Sequence, residues 1–215
     1  MLLRHLLPAC ILYEEMNPCI ADGSLLHAEE AAQIQSSVEK RRREYAAGRL
    51  LARALLDETG IRDFPLLNGN DRTPRWPDGI VGSITHCNTL CAVAIGKDTE
   101  VAAIGIDVEP AAPLPREAEM LAILPEEYRS IKNLPEPIQA LATRLIFSAK
   151  EATYKAIYPR TQIFLEFPEM RIELQEAGRF IATVLNPEAA SIFQAEIQGR
   201  YHIDSRHLGT SVVLV

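Results

Sequence analysis

The segment Gly105-Ile106-Asp107-Val108-Glu109 sets two carboxylates at positions i and i+2. In a strand, alternate side chains share a face. Asp107 and Glu109 therefore stand together, about 7 Å apart, while Ile104, Ile106 and Val108 point the other way. Two carboxylates so placed repel each other unless a cation lies between them. A small set of oxygen ligands suits Mg²⁺, which keeps several waters and often shares phosphate oxygens with its ligand. Gly105 falls on the same face and is expected to leave open space beside the acids. An exposed strand end that happens to be acidic would read the same way.

A second set lies in Phe147-Ser148-Ala149-Lys150-Glu151-Ala152-Thr153-Tyr154-Lys155-Ala156. With Leu145 as a buried centre, Leu141, Ala149, Ala152 and Ala156 cluster around it at helical spacing. Ala149 and Ala152 are small enough for another element to come close. Glu151 and Lys155, four residues apart, share one side of that stripe, and Lys150 lies on the other flank of Glu151. A third carboxylate between two ammoniums is what a metal–diphosphate pair requires: the acid completes the metal shell, and the lysines neutralise non-bridging oxygens. An ordinary helical Glu–Lys pair, contributing roughly a few tenths of a kcal/mol, explains Glu151 and Lys155 without a site.

Cations concentrate elsewhere too. Lys40-Arg41-Arg42-Arg43 is a basic run, and Arg49 follows Arg41 by eight residues, about 80° round a helix axis. One broad face holds both, and a solvated basic face is the plain alternative. Arg72, Arg75 and Trp76 sit in a turn-rich segment, and His86 in a short connection between two strand-like runs. The formal net charge of −7 argues against a general nucleic-acid binder. An acidic chain with a local basic cluster suits a small anionic ligand better than a polyanion. Cys10, Cys19, Cys87 and Cys91 have no C-x-x-C spacing and read as free thiols in a reducing compartment. Pro8, Glu14 and Glu15 interrupt the mildly apolar start, so no signal peptide or membrane span is expected and the cytoplasm is the expected location.

These residues need elements to hold them. Helix is expected over Glu29–Glu58, as one long element or two abutting ones, with Tyr45, Leu51, Ala52, Leu55 and Leu56 as the apolar stripe and Gly60 as the stop. Leu67–Gly79 must be loop. Strand-like runs follow at Ile80–Thr85, Leu90–Gly96 and Val101–Val108, and short connections predict antiparallel pairing, giving a helix on a small antiparallel sheet. The second half repeats the ingredients. A helical region at Arg116–Lys132 leads through Pro135 and Pro137 to a longer helix at Ile138–Tyr158. Strand-like runs then come at Met170–Leu174, Arg179–Leu185, Ala195–Ile203 and Gly209–Val215. The fold class is α+β, with two similar lobes. At 215 residues the chain is long enough to bury a core without disulfides or metal.

Five pieces in order resemble the 4′-phosphopantetheinyl transferases of the surfactin/enterobactin-synthetase type: RRREYAAGRLLARALL (41–56), DRTPRWPDG (71–79), GSITH (82–86), GIDVE (105–109) and FSAKEATYKAIYP (147–159). Residues before about 40 and after about 160 carry no comparable signature. The resemblance implies a monomer whose two lobes, 1–104 and 105–215, are related by a pseudo-twofold and bind coenzyme A between them. The first lobe would take the nucleotide and 3′-phosphate, the second the metal and diphosphate. It implies transfer of phosphopantetheine to a serine of an acyl, peptidyl or aryl carrier protein, leaving adenosine 3′,5′-bisphosphate. Such carriers serve siderophore, nonribosomal peptide, polyketide or fatty-acid synthesis. By the same resemblance Asp107, Glu109 and Glu151 would ligate Mg²⁺, or Mn²⁺, and Lys150 and Lys155 would contact the diphosphate. Arg41, Arg49, Arg72 and His86, assisted by Thr85, would hold the nucleotide phosphates. Arg53 is expected to support its helix, and Arg75 sits at a loop position. Glu151 is the candidate base for the serine proton and Lys155 the stabiliser of the leaving group. The competing readings are a Mg²⁺-dependent nucleotide-diphosphate phosphohydrolase, which needs no acceptor protein, and a non-catalytic coenzyme-A-binding scaffold. The second is disfavoured because all five charged residues of the central set are present.

Overall fold

The computed structural model describes residues 1–192 and 196–215. Its elements run β1 (Leu12–Met16), α1 (Ala28–Gln33), α2 (Glu39–Glu58), β2 (Ile80–His86), β3 (Cys91–Lys97), β4 (Ala103–Pro110), α3 (Arg116–Ala122), α4 (Pro125–Ile131), α5 (Glu136–Gln139), α6 (Ala142–Thr161), β5 (Met170–Gln175), β6 (Arg179–Val184), α7 (Pro187–Ile192), β7 (Glu196–Ile203) and β8 (His207–Leu214). The expected helix at 29–58 is two helices, and α2 ends where Gly60 adopts φ +88°. The expected strand start at Ala195 lies outside the described residues. Among the described residues no helix is long and apolar enough to cross a membrane, and all four cysteines are free.

The architecture is α+β with two antiparallel sheets, one of order β1-β3-β2 and one of order β4-β8-β7-β6-β5. Each sheet carries a twenty-residue helix. Helix α2 buries Leu51, Leu55 and Leu56 against β3, and α6 buries Leu145, Ala149, Ala152 and Ala156, the stripe its spacing predicts. Each large apolar side chain so buried contributes about 1.5–3 kcal/mol.

The run at Val101–Val108 does not extend the first sheet. Strand β4 pairs antiparallel with β8 instead, Asp107 opposite Thr210 and Glu109 opposite Leu208. The third place in the first sheet goes to β1, a half-buried strand, Leu-Tyr-Glu-Glu-Met, whose polar centre gives no alternation to read.

Although they belong to different sheets, β2 and β4 lie side by side. Their seam is made by side chains rather than a backbone ladder. Ser83 Oγ accepts from the Ile106 N–H and Thr85 Oγ1 from the Val108 N–H, both at 3.1 Å. Hydroxyls thus satisfy edge amides that would otherwise be buried without partners. One face of β4, Ile104, Ile106 and Val108, packs with Leu2, Leu3, Leu6, Ala92 and Ala94. The other face meets α6. A Cβ on Gly105 would stand 1.9 Å from the Ala152 carbonyl oxygen, so only glycine allows the crossing. The open space expected beside Gly105 is therefore filled by helix backbone, and Ala152 marks the close approach that its small size predicts.

Candidate active site

The crossing of α6 over Gly105 brings the next alternate residues of β4 beneath the preceding turns of the helix. Asp107, Glu109, Glu151 and Lys155 line one cleft with Ile84, Thr85, His86 and Phe147, a space of about 350 Å³. A neighbouring cleft of about 440 Å³ runs between the 71–76 loop with β2 and the far end of α6, and Lys155 and Ile84 border both. The cationic Lys155 stands where the two spaces meet.

Asp107 is the best-held member, its side chain only 7 % exposed. Its Oδ1 accepts from Lys155 Nζ at 2.8 Å and from Thr85 Oγ1 at 3.0 Å. Its Oδ2 is buried with no hydrogen-bond partner. A buried, unpartnered carboxylate oxygen costs stability and calls for a cation or donor. Glu109 Oε2 accepts a short hydrogen bond from Arg144 Nη1, while Arg144 also donates to the Ala112 and Pro113 carbonyls. Glu151 makes no hydrogen bond or ion pair among the described residues, and Lys155 turns to Asp107 rather than to it. Burial pushes the Glu151 carboxyl above the usual glutamate range, with Lys155 opposing and Asp107 and Glu109 adding to the rise. Burial and then the Asp107 charge raise Glu109, against Arg144. Among the described residues no three acidic, histidine or cysteine side chains are gathered closely enough to hold a metal as they stand. Lys155 and Arg144 occupy one oxygen each on the β4 carboxylates.

On the β2 side, His86 Nε2 lies 2.8 Å from Arg41 Nη1 and His86 Nδ1 lies 3.6 Å from Glu44 Oε2. Arginine can only donate, so Nε2 is the acceptor and the proton sits on Nδ1, toward Glu44. Burial holds the imidazole below its ordinary pKa, which keeps it neutral in this role. Glu44 is buried and also lies 3.8 Å from both Lys40 Nζ and Arg41 Nη1. Arg72 is exposed, with φ +65°, and borders the larger cleft.

Residues 29–96 match the family model for the 4′-phosphopantetheinyl transferase N-terminal domain, and residues 103–210 match that of the 4′-phosphopantetheinyl transferase superfamily. The chain belongs to this superfamily. The transferase is 41 % identical over 166 residues to 4′-phosphopantetheinyl transferase Svp of Streptomyces mobaraensis, covering 76 % of this chain and 68 % of that protein. It is 34 % identical over 194 residues to 4′-phosphopantetheinyl transferase PptT of Mycobacterium tuberculosis, covering 86 % and 85 %. Similarity extends to enterobactin synthase component D of Salmonella typhimurium, 38 % over 146 residues, 66 % and 59 % of the two chains.

Two expected ligand contacts of the transferase are not where the sequence put them. Lys150 is 0 % exposed, its Nζ donating to the Ala122 carbonyl at 2.7 Å, Glu127 Oε2 at 2.9 Å and the Phe167 carbonyl at 3.1 Å. One residue along a helix is a rotation of about 100°. While Glu151 faces the cleft, Lys150 faces the α3–α4 side and cannot serve the diphosphate from there. Arg49 is also buried. It donates to the Leu66 carbonyl at 2.7 Å and to Asn68 Oδ1, and its guanidinium stacks 4.0 Å over the Tyr45 ring. It anchors the root of the 66–76 loop, whereas Arg41 reaches His86. Arg53 pairs with Glu30 at 2.8 Å, the helix support expected of it, and Arg75 lies 3.3 Å from Asp71 across Gly69.

Sequence reasoning missed Arg144, Glu44 and Glu127. Glu127 was hidden as one acid among several in a polar helical stretch, yet it is buried and accepts from the Leu124 and Ile172 N–H groups besides Lys150. For Glu44 a signal existed: it lies three residues from Arg41 on the same helix face.

Proposed function

We propose that this transferase moves the 4′-phosphopantetheine arm of coenzyme A to a serine of an apo acyl, peptidyl or aryl carrier protein, with Mg²⁺, releasing adenosine 3′,5′-bisphosphate. The observation that supports this most directly is the buried Asp107, with Lys155 on one oxygen and no partner on the other, facing a cleft shared with Glu109 and Glu151. Hard oxygen donors with one cation-deficient position fit a divalent ion of the Mg²⁺ or Mn²⁺ kind. Asp107, Glu109 and Glu151 would hold it, and when bound it neutralises charge on the diphosphate. In this reading residues 1–104 supply the nucleotide side and residues 105–215 the metal and diphosphate side, in a cytoplasmic monomer.

Lys155 spends two of its three N–H donors on Asp107 Oδ1 and the Ile106 carbonyl. The third is left for a non-bridging phosphate oxygen. Arg41 and His86 suit the 3′-phosphate, which a guanidinium fork recognises well. Arg72 borders the larger cleft, and the buried Thr85 hydroxyl, expected to assist them, is committed instead to Asp107 and the Val108 N–H. The serine Oγ attacks the phosphorus that carries pantetheine. The bond from that phosphorus to the bridging oxygen breaks, its electron pair leaves with adenosine 3′,5′-bisphosphate, and the serine proton passes to Glu151. Burial raises its carboxyl above the usual glutamate range, the direction that favours accepting a proton. Holding reactants in line and neutralising charge supply most of the acceleration for such a step.

The test is incubation with coenzyme A, Mg²⁺ and an apo carrier. A carrier mass gain of one phosphopantetheine is expected, and coenzyme A cleavage without a carrier would point instead to a phosphohydrolase. Glu151→Gln should lower turnover about 10²-fold or more at saturating metal. Near-normal turnover in that variant would remove Glu151 as the base.

A further inference from the structure

Each β4 carboxylate has one oxygen held by a cation of the chain and one oxygen left over. Asp107 Oδ1 belongs to Lys155 and Thr85, and Oδ2 has no partner. Glu109 Oε2 belongs to Arg144, and among the described residues nothing hydrogen-bonds its Oε1. Arg144 is itself fixed, 11 % exposed, with its Nε on the Ala112 carbonyl at 2.6 Å and Nη2 on the Pro113 carbonyl at 2.8 Å. Its third contact therefore cannot swing away cheaply, because two backbone carbonyls would lose their donor.

We infer that Arg144 is a positioning residue that sets metal choice. By holding Oε2 it restricts Glu109 to a single ligating oxygen, so the site favours a small octahedral ion over Ca²⁺. Ca²⁺ takes six to eight oxygens and gains from bidentate carboxylates, whereas Mg²⁺ and Mn²⁺ are satisfied by single oxygens and water. Lys155 imposes the same restriction on Asp107 from the opposite side. The two cations also offset part of the charge of three carboxylates, which limits how strongly the free site attracts any divalent ion. This inference rests on the metal reading above, and it concerns a residue outside the five matching motifs.

The test reads metal binding directly. Mn²⁺ is titrated into the full chain with coenzyme A present, bound ion is measured by loss of the free Mn²⁺ paramagnetic resonance signal, and Mg²⁺ or Ca²⁺ is then used to displace it. In the wild type, Ca²⁺ should displace Mn²⁺ at least about tenfold less effectively than Mg²⁺. In Arg144→Gln, which frees Oε2, the Ca²⁺-to-Mg²⁺ ratio should shift toward Ca²⁺ by about fivefold, while Arg144→Lys stays within about twofold of wild type. An unchanged ratio in a cooperatively unfolding Arg144→Gln protein overturns the inference and leaves the metal reading standing. So does a wild type that takes Ca²⁺ as readily as Mg²⁺, a measurement that needs no variant. A wild type that binds no Mn²⁺ overturns both.

Discussion

Lys155 is 26 % exposed, yet its ammonium is tied at 2.8 Å to a carboxylate that is almost wholly buried. That asymmetry makes it a charge held in readiness, with one donor facing the cleft. Lys155→Met should reduce transfer to a carrier by about 10²–10³-fold at saturating Mg²⁺, the cost usual for losing a preorganised donor at developing charge. Carrier mass analysis over time checks this, and an active Lys155→Met protein would return the residue to an ordinary surface lysine. His86 makes a different prediction. Its folded pKa is depressed by burial, aided by Arg41 and Lys155 and opposed by Glu44 and Asp107. A depressed folded value means stability that is present above the ordinary histidine value of 6.5 and lost as pH falls through the folded value. Denaturant titrations at about pH 7 and about pH 5 should therefore differ less for His86→Asn than for wild type. The acids and Lys155 were legible in the sequence because type and period alone put them on facing surfaces. Arg144 was not legible, since nothing local to residue 144 announces that its partner is Glu109, 35 residues earlier.

Helix α6 serves two masters through one turn. Glu151 and Lys155 look into the cleft, while Lys150, between Ala149 and Glu151, is buried on the other side with Glu127. Burial lowers the Lys150 pKa and raises that of Glu127, so each member resists its charge and depends on the other for it. Lys150→Met alone and Glu127→Gln alone should each cost about 3–5 kcal/mol of folding stability, because a buried partner is left unpaired. The double variant Glu127→Gln with Lys150→Met completes the double-mutant cycle by chemical denaturation, and its loss should be smaller than the sum of the two single losses. Equal, additive losses would mean that the pair's backbone contacts, not its charges, hold α4 to α6. The periodicity of α6 was readable in the sequence, but which flank became interior depended on α3 and α4 packing there. No single helix encodes that choice. The polar β1 was unreadable for a related reason: it becomes a strand through β3, not through its own pattern.

Taken as a whole, the molecule joins its two sheets at β2 and β4 through hydroxyl oxygens. Thr85 is the most economical of these joints, accepting from the Val108 N–H and donating to Asp107 Oδ1. Thr85→Val keeps the shape and removes both bonds, so it should cost about 1–3 kcal/mol in denaturant unfolding. Transfer should fall as well, since Asp107 loses the donor that orients it. Stability lost without any change in transfer would show that Lys155 alone positions the acid. The α+β class, the long helices and most strands were readable from pattern. The partner of β4 was not, since strand pairing across the chain leaves no local trace.

That partner has a consequence for when the enzyme becomes active. Strand β4, which bears Asp107 and Glu109, finds its ladder only in β8, about a hundred residues later in the chain. During synthesis β1, β2, β3 and α2 emerge first, and β4 can then pack Ile104, Ile106 and Val108 on Leu2, Leu3, Leu6, Ala92 and Ala94, but its backbone ladder is missing until His207–Leu214 arrives. A ribosome-bound chain short of β8 is therefore expected to hold Asp107 and Glu109 on a strand without a ladder partner.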